Sequence, residues 1–218
     1  MSSFQALANL IKYKLGGRPY HHDLFRVGMV LQPDPTPFVL AGGALKVQDP
    51  TGGDPLVVTA VSRLDTGSVS LTRLHLGEDS SFLQLAVSPE GSVEECRYFS
   101  LLDREFPPDE ATWDVWLNDG QGLIGWPQFQ TLDGQLYDRL WSPGLMRIDP
   151  IPFDATVTTA TDSFSIDMRA MLYARATGLA DPAPQTEYLL AAVVEDRDQA
   201  WVDLHAGIDL NPAALTLA

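Results

Sequence analysis

The chain has 218 residues, of which 45% are hydrophobic and 20% charged, a composition typical of a folded soluble protein. Lys+Arg number 14 and Asp+Glu number 29, so the formal net charge is −15, which argues against nucleic acid as a partner because phosphate binding needs a basic face. The single cysteine, Cys96, excludes an intrachain disulfide, a zinc site built on several thiolates and an iron–sulfur cluster.

Residues 1–22 form a basic N-terminal segment on an otherwise acidic chain. They contain no aspartate or glutamate but hold Lys12, Lys14 and Arg18, and their apolar residues recur at helical spacing before a Gly-Gly pair. We expect a short helix docked on the body, or a frayed terminus. The alternative is a weak contact with an anionic membrane or a partner, for which these three cations are the candidate residues.

Residues 23–218 are expected to form a single β-rich domain, because short apolar runs alternate with turn sequences about every ten residues. The first set of predicted strands covers residues 27–31, 38–40, 44–47, 56–64, 69–76, 82–87 and 93–102. The second set covers residues 128–131, 135–141, 155–161, 164–175, 187–194 and 201–208. We therefore expect a mainly antiparallel β-fold, either two packed sheets or a distorted barrel, with one or two short helices. Residues 142–152 are the candidate bend between sheets.

One predicted helix interrupts the strands. Asp109 is placed to cap its first turn, and Trp113, Trp116 and Leu117 then fall on one face. We expect this face to pack over the sheet as part of the core. A cage for a ligand is the alternative.

The sequence contains few recognisable catalytic signatures, and HExxH, GxSxG and Walker A motifs are absent. Residues 120–125 spell G-x-G-x-x-G, but they follow a predicted helix and not a strand, so they predict a tight turn and not a nucleotide site. Asp203 and His205 share one strand face and could orient an imidazole for acid–base chemistry. A solvated strand face is the favoured interpretation. We identify no catalytic residue, no cofactor and no metal site, and we lean against an enzyme.

The hairpin predicted over residues 128–141 carries the candidate ligand- or partner-binding residues. Tyr137, Arg139 and Trp141 share one face of its second strand, and Trp126 precedes its first strand. Tyrosine, tryptophan and arginine dominate the energetics of interfaces. The alternative is that Arg139 lies over an aromatic ring as ordinary packing.

Several segments carry a family resemblance: GLIGWPQFQTLDGQLYDRLW at residues 122–141, MLYAR at 171–175, EYLL at 187–190 and AWVD at 200–203. Through them the chain resembles the YjfK-like family, a domain-of-unknown-function family of uncharacterised bacterial proteins. The resemblance runs from about residue 25 to the end and implies no catalytic residues. It does imply a setting, since such genes often lie near those of PspA-like membrane-stress proteins and small membrane proteins.

The sequence therefore predicts a non-enzymatic cytoplasmic binding or assembly protein, with a membrane-associated stress protein as the expected partner. It predicts no transmembrane segment, although peripheral membrane contact remains compatible with the basic N-terminal segment. Two alternatives stay open. One is a β-sandwich that binds a small ligand or carbohydrate, with Trp126, Tyr137 and Trp141 as stacking surfaces. The other is a carboxylate- or metal-dependent hydrolase, motivated by the 29 acidic residues and the Asp203/His205 pair.

Overall fold

The structure of the protein, a computed structural model, describes residues 25–50, 55–65, 70–77, 80–87, 93–196, 199–211 and 216–217. The predicted basic segment 1–22, with its candidate contact residues Lys12, Lys14 and Arg18, lies outside the described residues. The strands of the described part are β1 (Val30–Gln32), β2 (Leu56–Asp65), β3 (Ser70–Leu76), β4 (Ser81–Val87), β5 (Val93–Glu105), β6 (Gln128–Gln130), β7 (Leu136–Arg139), β8 (Ile151–Thr159), β9 (Ser163–Ala176), β10 (Thr186–Asp196), β11 (Gln199–Asp209) and β12 (Thr216–Leu217). The helices of the described part are α1 (Thr36–Ala41) and α2 (Glu110–Leu117).

Eight antiparallel strands close into a barrel. Their order is β2-β3-β4-β5-β11-β10-β9-β8, and β8 pairs back with β2. The barrel thus consists of two four-stranded meanders, β2 to β5 and β8 to β11, that meet at two seams: β5 with β11, and β2 with β8. The prediction of a mainly antiparallel β-fold is confirmed, in its barrel form.

Strand β10 shows how the sequence pattern places the core. Tyr188, Leu190 and Ala192 belong to the cluster that fills the barrel, whereas Leu189 and Ala191 belong to a second cluster on the outer surface. Successive side chains of a strand point to opposite faces, so both faces of β10 are covered. This accounts for its continuous apolar run, and the prediction of a strand buried on both sides is confirmed.

Two coverings protect the outside of the barrel. The segment 25–48 lies over the first meander, where Phe25, Met29 and Val47 pack into a cluster with residues of β2 to β5. Helix α2 and the β6–β7 hairpin lie over the second meander and pack against β9, β10 and β11. As predicted, the carboxylate of Asp109 caps α2 and accepts a hydrogen bond from the Thr112 amide at 2.9 Å.

Two of the predicted strands are wrong. Residues 38–40 lie within helix α1, which follows Pro35 and ends at Gly42 in a left-handed conformation with φ +55°. An apolar run this short does not distinguish a strand from a helix. The proline before it and the glycine after it are what favour a helix here. Residues 44–47 are irregular, and the amides of Lys46 and Val47 bond to a side chain of β10 instead of to another strand.

Candidate functional site

One end of the barrel interior is polar and contains a cavity of about 140 Å³. The buried polar and charged residues that line it are Ser62 of β2, Arg73 of β3, and Asp203 and His205 of β11, and Gln84 of β4 is bonded to Arg73. His75 of β3 and Arg104 of β5 join them in the cavity wall. Strand alternation places most of them there, because each lies on the inward side of its strand. Arg104 is the exception: a register shift at Leu102 of β5, which has no residue partner in β11, turns it toward the cavity.

Asp203 and His205 share a face, as predicted, but the interpretation of that face as solvated is wrong. Each residue is only 5% exposed, because the face is the inside of the barrel. In an open sheet the polar face meets water. Closure of the barrel covers both faces of β11, so alternation between polar and apolar residues no longer indicates which side is wet.

The Asp203 carboxylate is fully engaged by its neighbours. Arg104 donates to its two oxygens from Nε at 2.6 Å and from Nη2 at 2.7 Å. The indole N–H of Trp201 donates to it at 3.0 Å. The hydrogen bonds to Asp203 raise the pKa of Arg104, so its guanidinium is charged at neutral pH.

Arg73 has a different environment from Arg104. Its Nε donates to the Gln84 side-chain oxygen at 3.0 Å, its Nη1 lies 3.3 Å from the sulfur of Met168, and its Cζ lies 4.7 Å from the ring centroid of Phe82. Its Nη2 is buried and has no hydrogen-bond partner. Burial lowers the pKa of Arg73 to about 9, with Asp203 opposing the shift, and the guanidinium remains charged at neutral pH.

The two interior histidines are neutral at pH 7, because burial lowers the pKa of both His75 and His205 to about 4. His205 Nε2 lies 3.2 Å from the Ser80 carbonyl oxygen. A carbonyl only accepts, so Nε2 carries the ring proton and Nδ1 is left with a lone pair. That Nδ1 is buried and has no hydrogen-bond partner. His75 shares a hydrogen bond of 2.6 Å with the Ser62 hydroxyl.

The four candidate residues of the hairpin region do not line one pocket. Tyr137 is fully buried, and its hydroxyl donates to Glu187 at 2.8 Å. Burial is the main cause of its raised pKa. Trp126 is 39% exposed and lines a shallow surface cleft together with Arg139, whereas Trp141 lines another cleft.

Arg139 is buried and acts as a clamp on the surrounding backbone. Its guanidinium donates to the carbonyls of Gly125, Ser142, Gly144 and Met146. These bonds hold the loop before β8 against the turn after α2. This network is the packing role that the sequence left open for Arg139, although its partners are carbonyls and not an aromatic ring.

Glu187 is a buried carboxylate that sequence reasoning did not identify. This residue at the start of β10 is 0% exposed and accepts from the Tyr137 hydroxyl, the Lys46 and Val47 amides and the guanidinium of Arg175. It therefore ties the segment 25–48 and the β6–β7 hairpin to the barrel. The sequence feature that could have pointed to it is a single acidic residue at the start of an apolar run. Its partners could not be identified in this way, because they lie up to 141 residues away.

A separate apolar groove lies on the outer surface, between α2 and the tip of the β6–β7 hairpin. Its volume is about 510 Å³. Its exposed apolar side chains are Val115, Leu123 and Leu132, and Leu132 is fully exposed. Its acidic residues are Asp103, Glu105 and Asp133. Lys46 also lines it and forms an ion pair with Asp133. We call this feature the acidic-rimmed groove.

None of the described helices is long and apolar enough to cross a membrane. No group of three or more His, Cys, Asp or Glu side chains in this part of the chain is arranged to hold a metal ion.

Comparison with known proteins identifies a family without an assigned activity. Comparisons with curated proteins and with solved structures gave no match. Residues 19–216 match the family described as "Protein of unknown function (DUF2491)". The match covers most of the chain and confirms the expectation of a domain-of-unknown-function family. The chain therefore belongs to the DUF2491 family.

Proposed function

We propose that the protein is a non-enzymatic binding protein that holds a segment of a partner protein in the acidic-rimmed groove. The observation that carries the proposal is Leu132, which projects from the hairpin tip with its side chain fully exposed beside two half-exposed apolar residues. Contiguous exposed apolar surface bordered by polar residues is typical of interaction sites. A volume of about 510 Å³ accommodates several apolar side chains of a partner.

The charge of the groove favours one kind of occupant. Asp103 and Glu105 border it, and the one cation in its described lining, Lys46, is already paired with Asp133. The whole chain carries a formal charge of −15. An amphipathic helix of a partner protein, with apolar residues at positions i, i+3 or i+4 and i+7 and with lysine or arginine beside them, complements this surface.

The proposed setting is the cytoplasmic side of a bacterial membrane. The resemblance to YjfK-like proteins supports a membrane-associated stress protein as the partner and an accessory role in the envelope-stress response. Lys12, Lys14 and Arg18 would add a contact with anionic lipid, at about 1 kcal/mol for each cation near the surface. Such a contact is too weak to anchor the protein alone, so the groove supplies the specificity.

Site-specific photo-crosslinking tests the groove directly. A photoreactive amino acid replaces Leu132 in the full chain expressed in its native cells, and a matched chain carries it at Leu145. Leu145 is 92% exposed but lies on the loop before β8, away from the groove. We expect a crosslink from position 132 to a basic amphipathic segment of one partner, identified by mass spectrometry, and no such crosslink from position 145.

Purified partner then allows a quantitative test. Leu132→Asp is expected to weaken binding at least tenfold, because it places a carboxylate where an apolar anchor sits, whereas Leu145→Asp leaves the affinity unchanged. Both side chains are exposed, so neither variant should alter folding. Equal effects of the two variants would contradict the proposal. So would a crosslink from position 132 to residues 1–22 of the same chain, which would show that the groove holds the chain's own N-terminal segment.

A further inference from the structure

The polar end of the barrel interior holds one more positive charge than its own acidic groups balance. Arg73 and Arg104 are cationic, and Asp203 is the one carboxylate in the described wall of the cavity. Asp203 gives both of its oxygens to Arg104. Arg73, only 6% exposed, therefore has an amide oxygen, a thioether and an aromatic ring in contact with it but no ion pair, and Asp203 attracts it only from a longer distance. A buried charge without a counterion is costly, and such groups normally pair or bind an ion.

Two buried polar atoms of residues that line this cavity, and one of a residue bonded to Arg73, have no hydrogen-bond partner in the described part of the chain. They are Arg73 Nη2, Gln84 Nε2 and His205 Nδ1, and Gln84 is the one that lies outside the cavity wall. The first two are donors and sit on paired residues of β3 and β4, linked by a hydrogen bond of 3.0 Å. The third is an acceptor, because the other ring nitrogen of His205 carries the proton.

The Phe82 ring brings these groups into one neighbourhood. Its centroid lies 4.7 Å from Arg73 Cζ and 5.0 Å from the centroid of the His205 ring. A charged donor on Arg73 and an acceptor on His205 in one cavity wall match a ligand that is both an anion and a hydrogen-bond donor. Water alone could fill the hydrogen bonds but would leave the charge of Arg73 unbalanced.

We propose that this cavity binds a small oxyanion that also carries a hydroxyl group, such as an α-hydroxy carboxylate or hydrogen phosphate. In this assignment the anionic oxygens face Arg73, and the hydroxyl donates to His205 Nδ1. A cavity of about 140 Å³ suits this size, since an engineered cavity of about 150 Å³ holds benzene. Partly exposed Arg104, Trp201 and Ile166 in its wall bring the cavity to the surface at the end of the barrel.

Calorimetric titration of the purified full chain at neutral pH tests the assignment. The probes are glycolate, acetate, hydrogen phosphate and chloride, all at equal ionic strength. We expect saturable binding of glycolate or hydrogen phosphate with one site per chain and none of chloride. Glycolate should bind several-fold more tightly than acetate, because acetate has no hydroxyl for His205. The relative affinities of glycolate and hydrogen phosphate show whether the natural ligand is an α-hydroxy carboxylate or a phosphate.

Arg73→Met is the decisive variant. Methionine keeps the length of the side chain and removes the charge, and replacing a buried charge with an apolar group of similar size is often neutral or stabilising. We expect the variant to fold and to bind the oxyanion at least tenfold more weakly. The matched control is Arg169→Met, which removes an arginine from an exposed ion pair with Glu195 on the outside of the barrel and should leave binding unchanged.

A measurement on the unaltered protein covers the case in which Arg73→Met fails to fold. In NMR spectra of the histidine rings, glycolate or phosphate should shift the signals of His75 and His205 saturably, whereas chloride at the same ionic strength should not. The proposal is overturned if no oxyanion produces a saturable response, if chloride produces the same one, or if folded Arg73→Met binds as the parent does. Equal affinity for glycolate and acetate would overturn the role of His205. The test is independent of the acidic-rimmed groove, which lies outside the barrel.

Discussion

His75 and His205 couple the barrel interior to pH. Burial is the main cause that lowers the pKa of each from 6.5 to about 4 in the folded protein, whereas the unfolded chain titrates near the ordinary value. Between these two values the unfolded state binds more protons than the folded state. The free energy of unfolding therefore falls as the pH drops through this window. Above pH 6.5 both states hold neutral histidines, and the histidines no longer lower the stability.

We predict that acidification from pH 6.5 to pH 4 destabilises the protein by up to about 1.4 kcal/mol per pH unit for each interior histidine. Urea unfolding at a series of pH values measures this slope. His205→Gln removes one of the two titrating rings but keeps a donor for the Ser80 carbonyl, so it should reduce the slope by about half. An unchanged slope in this variant would show that His205 is not a source of the pH dependence.

The two histidines also show why the candidate site was incompletely predicted. Arg73, His75 and Gln84 are single polar residues in apolar strands, and nothing in their spacing forms a motif. The cavity that Arg73 and His75 share, and the place of Gln84 beside Arg73, arise from the register of β3 with β4 and from the closure of the barrel around β11. The Asp203/His205 pair was visible as a pair, but whether its face was wet depended on strands about a hundred residues away.

At the scale of elements, the turn after α2 is built on glycines with unequal roles. Gly125 has φ +102°, and a Cβ atom there would lie 1.9 Å from the backbone oxygen of Ile148. Its amide also donates to the Tyr173 hydroxyl at 2.7 Å. Gly120 belongs to the same G-x-G-x-x-G string, but the nearest atom to its Cβ position is an Asn118 side-chain oxygen at 3.6 Å.

We predict that Gly125→Ala destabilises the protein by about 3 kcal/mol or more, because the new methyl group collides with backbone and the positive φ is strained. Gly120→Ala should change stability by less than about 1 kcal/mol. Thermal and urea unfolding of the two variants measure the difference. Comparable losses of stability in the two variants would contradict the unequal roles that the backbone conformation gives to Gly120 and Gly125.

Elements defined by local chemistry were the ones that could be predicted. The β6–β7 hairpin follows from Asp133-Gly134, where Gly134 adopts φ +85°, and α2 follows from its cap at Asp109. Helix α1 was mistaken for a strand because its apolar run is short. The role of Tyr137 was open in the sequence, since its burial depends on Glu187, a residue 50 positions further along the chain.

At the scale of the whole molecule, the pairing of the strands in the closed barrel should protect their amides very unequally from hydrogen exchange. Strand β10 is paired along almost its whole length with β9 on one side and β11 on the other. Strand β1 makes only two residue pairs with β2 and two with β12. Local opening should therefore free the amides of β1 long before those of β10.

We predict that amide hydrogen exchange is slowest in β10 and the flanking parts of β9 and β11, where it should require global unfolding. Peptides from β1 should exchange by local opening at a much lower free energy. Peptide-level mass spectrometry of the native protein makes the comparison. Equal protection of β1 and β10 would contradict a barrel whose stability is concentrated in the second meander.

The seam between β5 and β11 has a consequence for synthesis on the ribosome. Strand β5 ends at Glu105, and its partner β11 is complete only at Asp209, roughly a hundred residues later. At 5–20 residues per second the first meander waits about 5 to 20 seconds with the β11-binding edge of β5 unpaired. Such an edge is a template for pairing with other chains. The nascent protein is therefore most prone to aggregation in this interval, and a molecular chaperone that covers the edge of β5 would act there.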